Sequence, residues 1–273
     1  MRDRRSCRSA ARAGGRRDAC FKRPNGGFRR VRRLLVFGHR GARGYAPENT
    51  MKSFLLAAEM GADGVELDVH LSKDGELVVI HDDMVDRTTD GHGAVRGFTV
   101  GELKKLDAGA KFGREWKGAR IPTLGEVFDG LGRAEYRIEL KHSGKVYPRV
   151  EEKLVSFVRD SGLLRHVEIT SFDYDALETV RRLDGSIRTG IIMHGKARWF
   201  IPIARKLGCA WMHANSDLVA EDDVSAAHGK GFKLGMWTVN DGESAERAAR
   251  LGVDGVTSDF PDAVVRTAKR SGR

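Results

Sequence analysis

From Tyr136 to the C terminus the chain alternates, almost without interruption, between short apolar runs and longer amphipathic segments. YRIEL (136–140) precedes PRVEEKLVSFVRDSG, HVEITS precedes YDALETVRRL, and IRTGIIM precedes ARWFIPIARKLG. AWMHAN precedes EDDVSAAHGKG, KLGMWTV precedes GESAERAARLG, and VDGVTSD precedes PDAVVRTAKR. Short apolar runs bounded by turn residues read as buried strands, and the longer segments read as helices. With LLVFG and GVELDVHL upstream, the expected strands are 34–38, 64–71, 136–140, 167–170, 188–193, 211–215, 233–239 and 254–258. Length alone allows one barrel or two smaller domains. Eight strands with crossover helices predict a (β/α)8 TIM barrel.

One stretch departs from the rhythm. After GVELDVHL, the Asp74-Gly75 turn predicts a hairpin, with Leu77–Ile80 running antiparallel beside the second strand. Residues 83–121 then read as a small insertion after the second barrel strand, before a helix over 123–130. Upstream, Thr50 is the expected N-cap of a helix whose apolar stripe is Phe54, Leu55, Ala58 and Met60, stopped by Gly61.

The net charge of +10 resembles a nucleic-acid signal, but it is concentrated at one end. Residues 1–33 hold 12 Arg and 1 Lys against Asp3 and Asp18, a net +11, which leaves −1 for the body. The division expected is therefore an arginine-rich disordered tail over 1–33 and a barrel over 34–273. The tail is suited to touching anionic surfaces, but it has no partner-specific pattern, and a solvated extension is the simpler reading. No specific nucleic acid is predicted. No apolar core follows the arginines as a secretory signal requires, and no apolar run reaches the ~20 residues that span a bilayer. Cys7, Cys20 and Cys209 form no disulfide framework. The expectation is a cytoplasmic protein.

The chemistry gathers at expected strand ends. Glu66 and Asp68 are two residues apart in GVELDV, so a strand points both to one face. Glu139 and Lys141 repeat that spacing in IELK. Three carboxylates converging at a barrel mouth need a cation or protons between them. Hard oxygen donors favour one divalent cation, Mg²⁺ or Ca²⁺. His39 and His81 each end an apolar run and can exchange protons near neutral pH. Arg40 and Lys141 are anion partners. A cation and two basic groups around an oxyanion are what phosphoryl transfer needs. Singly, each residue has a plainer explanation: a hydrogen-bonded loop histidine, a solvated acidic pair, a structural ion pair, or a core aromatic for Phe172 and Trp237. The functional reading rests on their coincidence at one barrel end, where buried charges are costly without partners.

These motifs resemble the glycerophosphodiester phosphodiesterase family. The matching segments are HRG (39–41), APENT (46–50), GADGVELDVHLSKDGELVVIHD (61–82), RTT (87–89), IPTLGEV (121–127), IELK (138–141), SFD (171–173), MWTVN (236–240) and GVDGVTSDFP (252–261). The resemblance implies a (β/α)8 barrel with an insertion after the second strand. It implies a divalent cation on Glu66, Asp68 and Glu139, His39 and His81 as general acid and base, and Arg40 and Lys141 on phosphate. Phe172 and Trp237 resemble residues lining a glycerol pocket, and Glu48 a loop brace. The implied substrate is a small-molecule glycerophosphodiester, such as glycerophosphocholine or glycerophosphoethanolamine. A glycerol hydroxyl would attack phosphorus, a cyclic phosphate would form as the alcohol leaves, and water would open the ring. The alternatives are a phospholipase D-like lyase that leaves a cyclic phosphate from lysolipids, and a non-enzymatic scaffold with a relic pocket. HSGKVYP (142–148) differs from the family at the pocket rim.

Overall fold

The barrel strands are buried along nearly their whole length, as a parallel sheet covered by helices requires. A computed structural model describes residues 20–22, 28–30 and 33–271. The strands are β1 (Leu35–His39), β2 (Gly64–Leu71), β3 (Leu77–Val79), β4 (Glu135–Leu140), β5 (Val167–Ser171), β6 (Arg188–Met193), β7 (Trp211–Asn215), β8 (Lys233–Trp237) and β9 (Gly255–Ser258). The helices are α1 (Met51–Glu59), α2 (Val100–Leu103), α3 (Leu124–Leu131), α4 (Val150–Asp160), α5 (Tyr174–Leu183), α6 (Ala197–Lys206), α7 (Glu221–Gly229), α8 (Gly242–Leu251) and α9 (Pro261–Ser271).

Strand pairing runs β1, β9, β8, β7, β6, β5, β4, β2, and β1 pairs back with β2, so eight parallel strands close into a barrel. The expected boundaries hold within a residue or two. The seventh run stops at Trp237 rather than 239, where its neighbours Asn215 and Thr257 end the ladder on both sides. β3 is antiparallel to β2, as the Asp-Gly turn predicts. β1 pairs with β2 only over Gly64–Glu66, and β3 then covers the same edge of β2 over Val69–Leu71. β2 therefore stands above the barrel rim, and the chain leaving β3 comes down beside it.

Outward residues of β2, β4 and β5, among them Leu67, Ile138 and Ile169, pack with Phe54, Ala57, Leu124, Val127 and Leu154 of the surrounding helices. Thr50 caps α1 as expected, its hydroxyl accepting from the Ser53 N–H at 3.3 Å. The apolar stripe differs. Ser53, Phe54 and Ala57 face the barrel, while Leu55 is 44 % exposed and Ala58 is also exposed. A helix burying Phe54 and Ala57 turns Leu55 a full 100° away, so sequence hydrophobicity misassigned that side chain.

The barrel interior carries an unanticipated buried charge network. The Arg137 guanidinium donates to Glu168 at 3.3 Å and to Thr257 Oγ1 at 3.0 Å, and lies 4.0 Å from the Phe37 ring centroid. His213 Nε2 sits 2.6 Å from Glu168 Oε1. Gly235 makes room for that imidazole, since a Cβ there would fall 2.5 Å from His213 Nδ1.

Residues between β3 and α3 form the excursion read as an insertion. It holds α2 and two short 3₁₀ turns, and packs its own small core of Val78, Ile80, Val85, Val95, Leu103, Ala108 and Ile121. The expected disordered tail lies mostly outside the described residues; within it, Cys20–Lys22 pairs antiparallel with Phe28–Arg30. Among the described residues no helix is long and apolar enough to cross a membrane.

The β1–α1 loop depends on Gly41. Its φ of +85° is left-handed, and a Cβ there would sit 2.4 Å from Ser53 Oγ and 2.6 Å from the Ser53 carbonyl carbon. Gly41→Ala is therefore expected to cost about 2 kcal/mol or more. Denaturant unfolding tests this, and an unchanged midpoint would contradict the packing described for the loop.

Candidate active site

Strand register brings the acidic side chains together. His39 is level with Glu66, and Asp68 is level with Glu139. Ligand oxygens of Glu66, Asp68 and Glu139 all lie within 4.8 Å of one another, and all three residues are buried. Lys141 Nζ donates to Glu139 Oε1 at 2.7 Å and stands 3.6 Å from Asp68 Oδ1. Arg40 has a left-handed φ of 52°, which turns its N–H onto Glu66 Oε2 at 3.0 Å. Its Nε lies 3.4 Å from Asp68 Oδ2, which also accepts from Asn49 Nδ2 at 2.8 Å. All of these residues sit at the C-terminal end of the barrel, where catalytic groups of this architecture gather.

The donor set fits a divalent cation. Asp68 Oδ1 is buried and has no hydrogen-bond partner, a costly state that an ion among these oxygens would relieve. Burial, then Asp68, push Glu139 up to about 7. Burial, then Asp68 and Glu139, push Glu66 well above the usual carboxylate range. Burial opposes charge on Asp68 too, but Lys141, Arg40 and His81 outweigh it and hold that carboxyl low. Glu66 and Glu139 bind protons more tightly than ordinary carboxylates do, and would welcome another cation for the same reason.

Both histidines are backed by carboxylates, and sequence reading did not identify either partner. His39 Nδ1 lies 2.6 Å from Asp259 Oδ1, and His39 Nε2 lies 4.0 Å from Glu66 Oε2. His81 Nδ1 lies 2.6 Å from Asp82 Oδ1, and His81 Nε2 accepts from Lys141 Nζ at 3.1 Å. In each case the carboxylate holds the hydrogen on Nδ1 and leaves Nε2 as the nitrogen that gains or loses a proton, beside Glu66 in His39 and beside Lys141 in His81. Burial lowers the pKa of His39 against the opposing Asp259 hydrogen bond. Burial likewise lowers that of His81, with Asp68 opposing and Arg40 and Lys141 assisting. Asp82 could have been suspected from the His-Asp dipeptide; Asp259, 220 residues from its partner, could not.

A charged strap joins the two histidine loops. Arg87 donates to Asp82 at 2.6 Å and to both Glu48 oxygens at 2.7 and 2.9 Å, and Glu48 accepts from Arg40 Nη1 at 2.9 Å. Glu48 braces the loop, its oxygens taken by the two guanidinia.

The opposite wall is aromatic. Phe172 follows β5 and Trp237 ends β8, with ring centroids 5.9 Å apart and nearly perpendicular planes. His194, absent from the sequence reading, stacks on Phe172 at 5.1 Å and meets Trp237 edge-on at 5.1 Å. Phe172 is 41 % exposed, so it is not a core residue. The site thus has a charged side from β1, β2 and β4 and an aromatic side from β5, β6 and β8.

The strap gives a pH signature. Burial works against the Glu48 charge, but the Arg87 hydrogen bond and Arg40 hold the carboxyl down at about 2. A folded pKa below the unfolded value adds stability that is present above about pH 4.5 and lost as pH falls toward 2. Glu48→Gln is expected to cost on the order of 3 kcal/mol at pH 7, with the deficit closing in acid. Unfolding of both proteins across that range tests this; a deficit independent of pH would contradict it.

Comparison with known proteins gives one picture. The glycerophosphoryl diester phosphodiesterase family model matches residues 39–263. A glycerophosphodiester phosphodiesterase of Caldanaerobacter subterraneus is 39 % identical over 88 % of this chain and all of its own length. One from Bacillus subtilis is 36 % identical, covering 84 % of this chain and 85 % of its own. Among solved structures, an Oleispira antarctica phosphodiesterase in complex with the product sn-glycerol-3-phosphate superposes with TM-score 0.78 at 32 % identity, covering 86 % of this chain and 96 % of its own.

Proposed function

The chain belongs to the glycerophosphoryl diester phosphodiesterase family, and from that premise we propose that it hydrolyses small glycerophosphodiesters, such as glycerophosphocholine or glycerophosphoethanolamine, to glycerol 3-phosphate and an alcohol in a metal-dependent reaction. It is a phosphodiesterase of glycerophosphodiesters, like its relatives. The observation that carries the finer reading is one juxtaposition. Three buried carboxylates, one of whose oxygens has no hydrogen bond, lie beside two histidines, His39 with Nε2 4.0 Å from Glu66 and His81 with Nε2 3.1 Å from the Lys141 ammonium.

Glu66, Asp68 and Glu139 would hold one divalent cation, Mg²⁺ or Ca²⁺, whose charge would stabilise the phosphoryl oxygens as negative charge develops. Arg40 and Lys141 bind the phosphate, with Lys141 poised between Glu139 and His81. Phe172 and Trp237 take the glycerol carbons against their rings and shed water from that side. The imidazoles move the protons. One ring, entering neutral, takes at Nε2 the proton of a glycerol hydroxyl, whose oxygen attacks phosphorus, while the other, entering as the imidazolium, gives its Nε2 proton to the departing alcohol oxygen as that oxygen's bond to phosphorus breaks. The roles then reverse: the second ring takes a proton from water, water attacks the cyclic phosphate, and the first ring protonates the glycerol oxygen released. Asp259 and Asp82 steady each ring through both steps.

Substituting His39→Ala or His81→Ala should lower turnover by about 10²–10⁴-fold with the fold retained. A wild-type rate would reject that residue's role. EDTA should abolish release of alcohol from glycerophosphocholine, and Mg²⁺ or Ca²⁺ should restore it; full activity in EDTA would reject metal dependence. Phosphorus NMR should end on glycerol 3-phosphate, whereas a persistent cyclic phosphate would identify a lyase.

A further inference from the structure

His81 hangs from a part of the chain that the barrel does not hold. β3 ends at Val79, and the last backbone tie to β2 is the Ile80 N–H donating to the Asp68 carbonyl at 3.1 Å. Asp82 orients the imidazole and is itself tied through Arg87 to Glu48, and Lys141 Nζ meets the ring at Nε2, but all of these are contacts of side chains. None of them holds the His81 main chain, which needs an anchor of its own.

His70 supplies one. It follows Glu66 and Asp68 by the same two-residue step along β2, on the overhang above the barrel rim, and it is 1 % exposed. Its Nε2 lies 3.1 Å from the His81 carbonyl oxygen, and its Nδ1 lies 2.9 Å from the Tyr147 hydroxyl. A carbonyl only accepts, so Nε2 carries the hydrogen. In the neutral ring Nδ1 is then the acceptor, and Tyr147 donates to it. Tyr147 is buried, meets the His70 ring edge-on at 5.3 Å, and belongs to the HSGKVYP segment after β4. The His81 carbonyl thus sets the tautomer of a β2 histidine, and a hydroxyl from that segment holds the ring that in turn holds the main chain of His81.

We propose that His70 is the positioning residue of His81, with Tyr147 fixing its ring. The proposal rests on the acid/base reading of His81, and the test separates the two. His70→Gln places an amide N–H where Nε2–H stands and keeps the donor to the His81 carbonyl. His70→Asn places its amide at Nδ1, keeping a partner for Tyr147 and losing the His81 anchor. Steady-state kinetics on glycerophosphocholine should show His70→Gln within about 3-fold of wild-type kcat. His70→Asn should lose about 30- to 100-fold in kcat with KM changed little, because a small misplacement of an acid/base group costs the chemical step rather than binding. Melting temperatures of the two variants, measured alongside, should fall together. Equal kcat for Gln and Asn, or losses that follow melting temperature, would overturn the positioning role. His81→Ala is run in parallel: if it turns over like wild type, the acid/base assignment of His81 fails, and the positioning claim falls with it. An inactive His81→Ala beside indistinguishable His70 variants removes the positioning claim alone.

Discussion

Three carboxylates crowded within 4.8 Å in a buried barrel mouth set the terms for the surrounding structure. At an effective dielectric near 20, each pair of like charges at that separation repels by about 3 kcal/mol. Burial raises the cost of ionising any of them, and Glu66 and Glu139 are pushed up accordingly. The sequence could avoid this with apolar residues and does not. Arg40 and Lys141 stand against the cluster, a backbone N–H turns onto Glu66, and an amide from Asn49 meets Asp68. Even so, one Asp68 oxygen has no hydrogen bond. Such an arrangement makes physical sense as a cation-binding site.

The barrel holds this strained set because its parts come from separate staves. Register, not loop conformation, brings Asp68 level with Glu139 and His39 level with Glu66. The hairpin after β2 is the local device that adds the second histidine. It covers the edge that β1 vacates and delivers His81 beside Asp68. The loops bearing the two imidazoles are then tied together by the chain Arg40, Glu48, Arg87 and Asp82. A rigid sheet carries the three carboxylates, and charged straps hold the two imidazoles over them.

Much of this was readable before any coordinates. Period-two spacing alone puts Glu66 with Asp68 and Glu139 with Lys141, and strand counting gives the barrel and hence the shared rim. What could not be read is contact between distant positions. Asp259 reaches His39 only because β9 neighbours β1 around the closure. His194 joins the aromatic wall through β6 without a motif of its own. His70 was within reach, since it continues the spacing of the acidic pair, but its role depends on Tyr147 and the hairpin. The buried Arg137, Glu168 and His213 network was missed because polar residues on an expected strand interior look like errors until the facing side chains are known.

The account turns on a cation shared by the three carboxylates. Anomalous diffraction from crystals grown in Mn²⁺, as a scattering stand-in for Mg²⁺ or Ca²⁺, locates it directly. The expected result is one strong peak bonded at about 2 Å to oxygens of Glu66, Asp68 and Glu139 together. A peak that leaves out Glu139, or no peak in the barrel mouth at saturating metal, would contradict it.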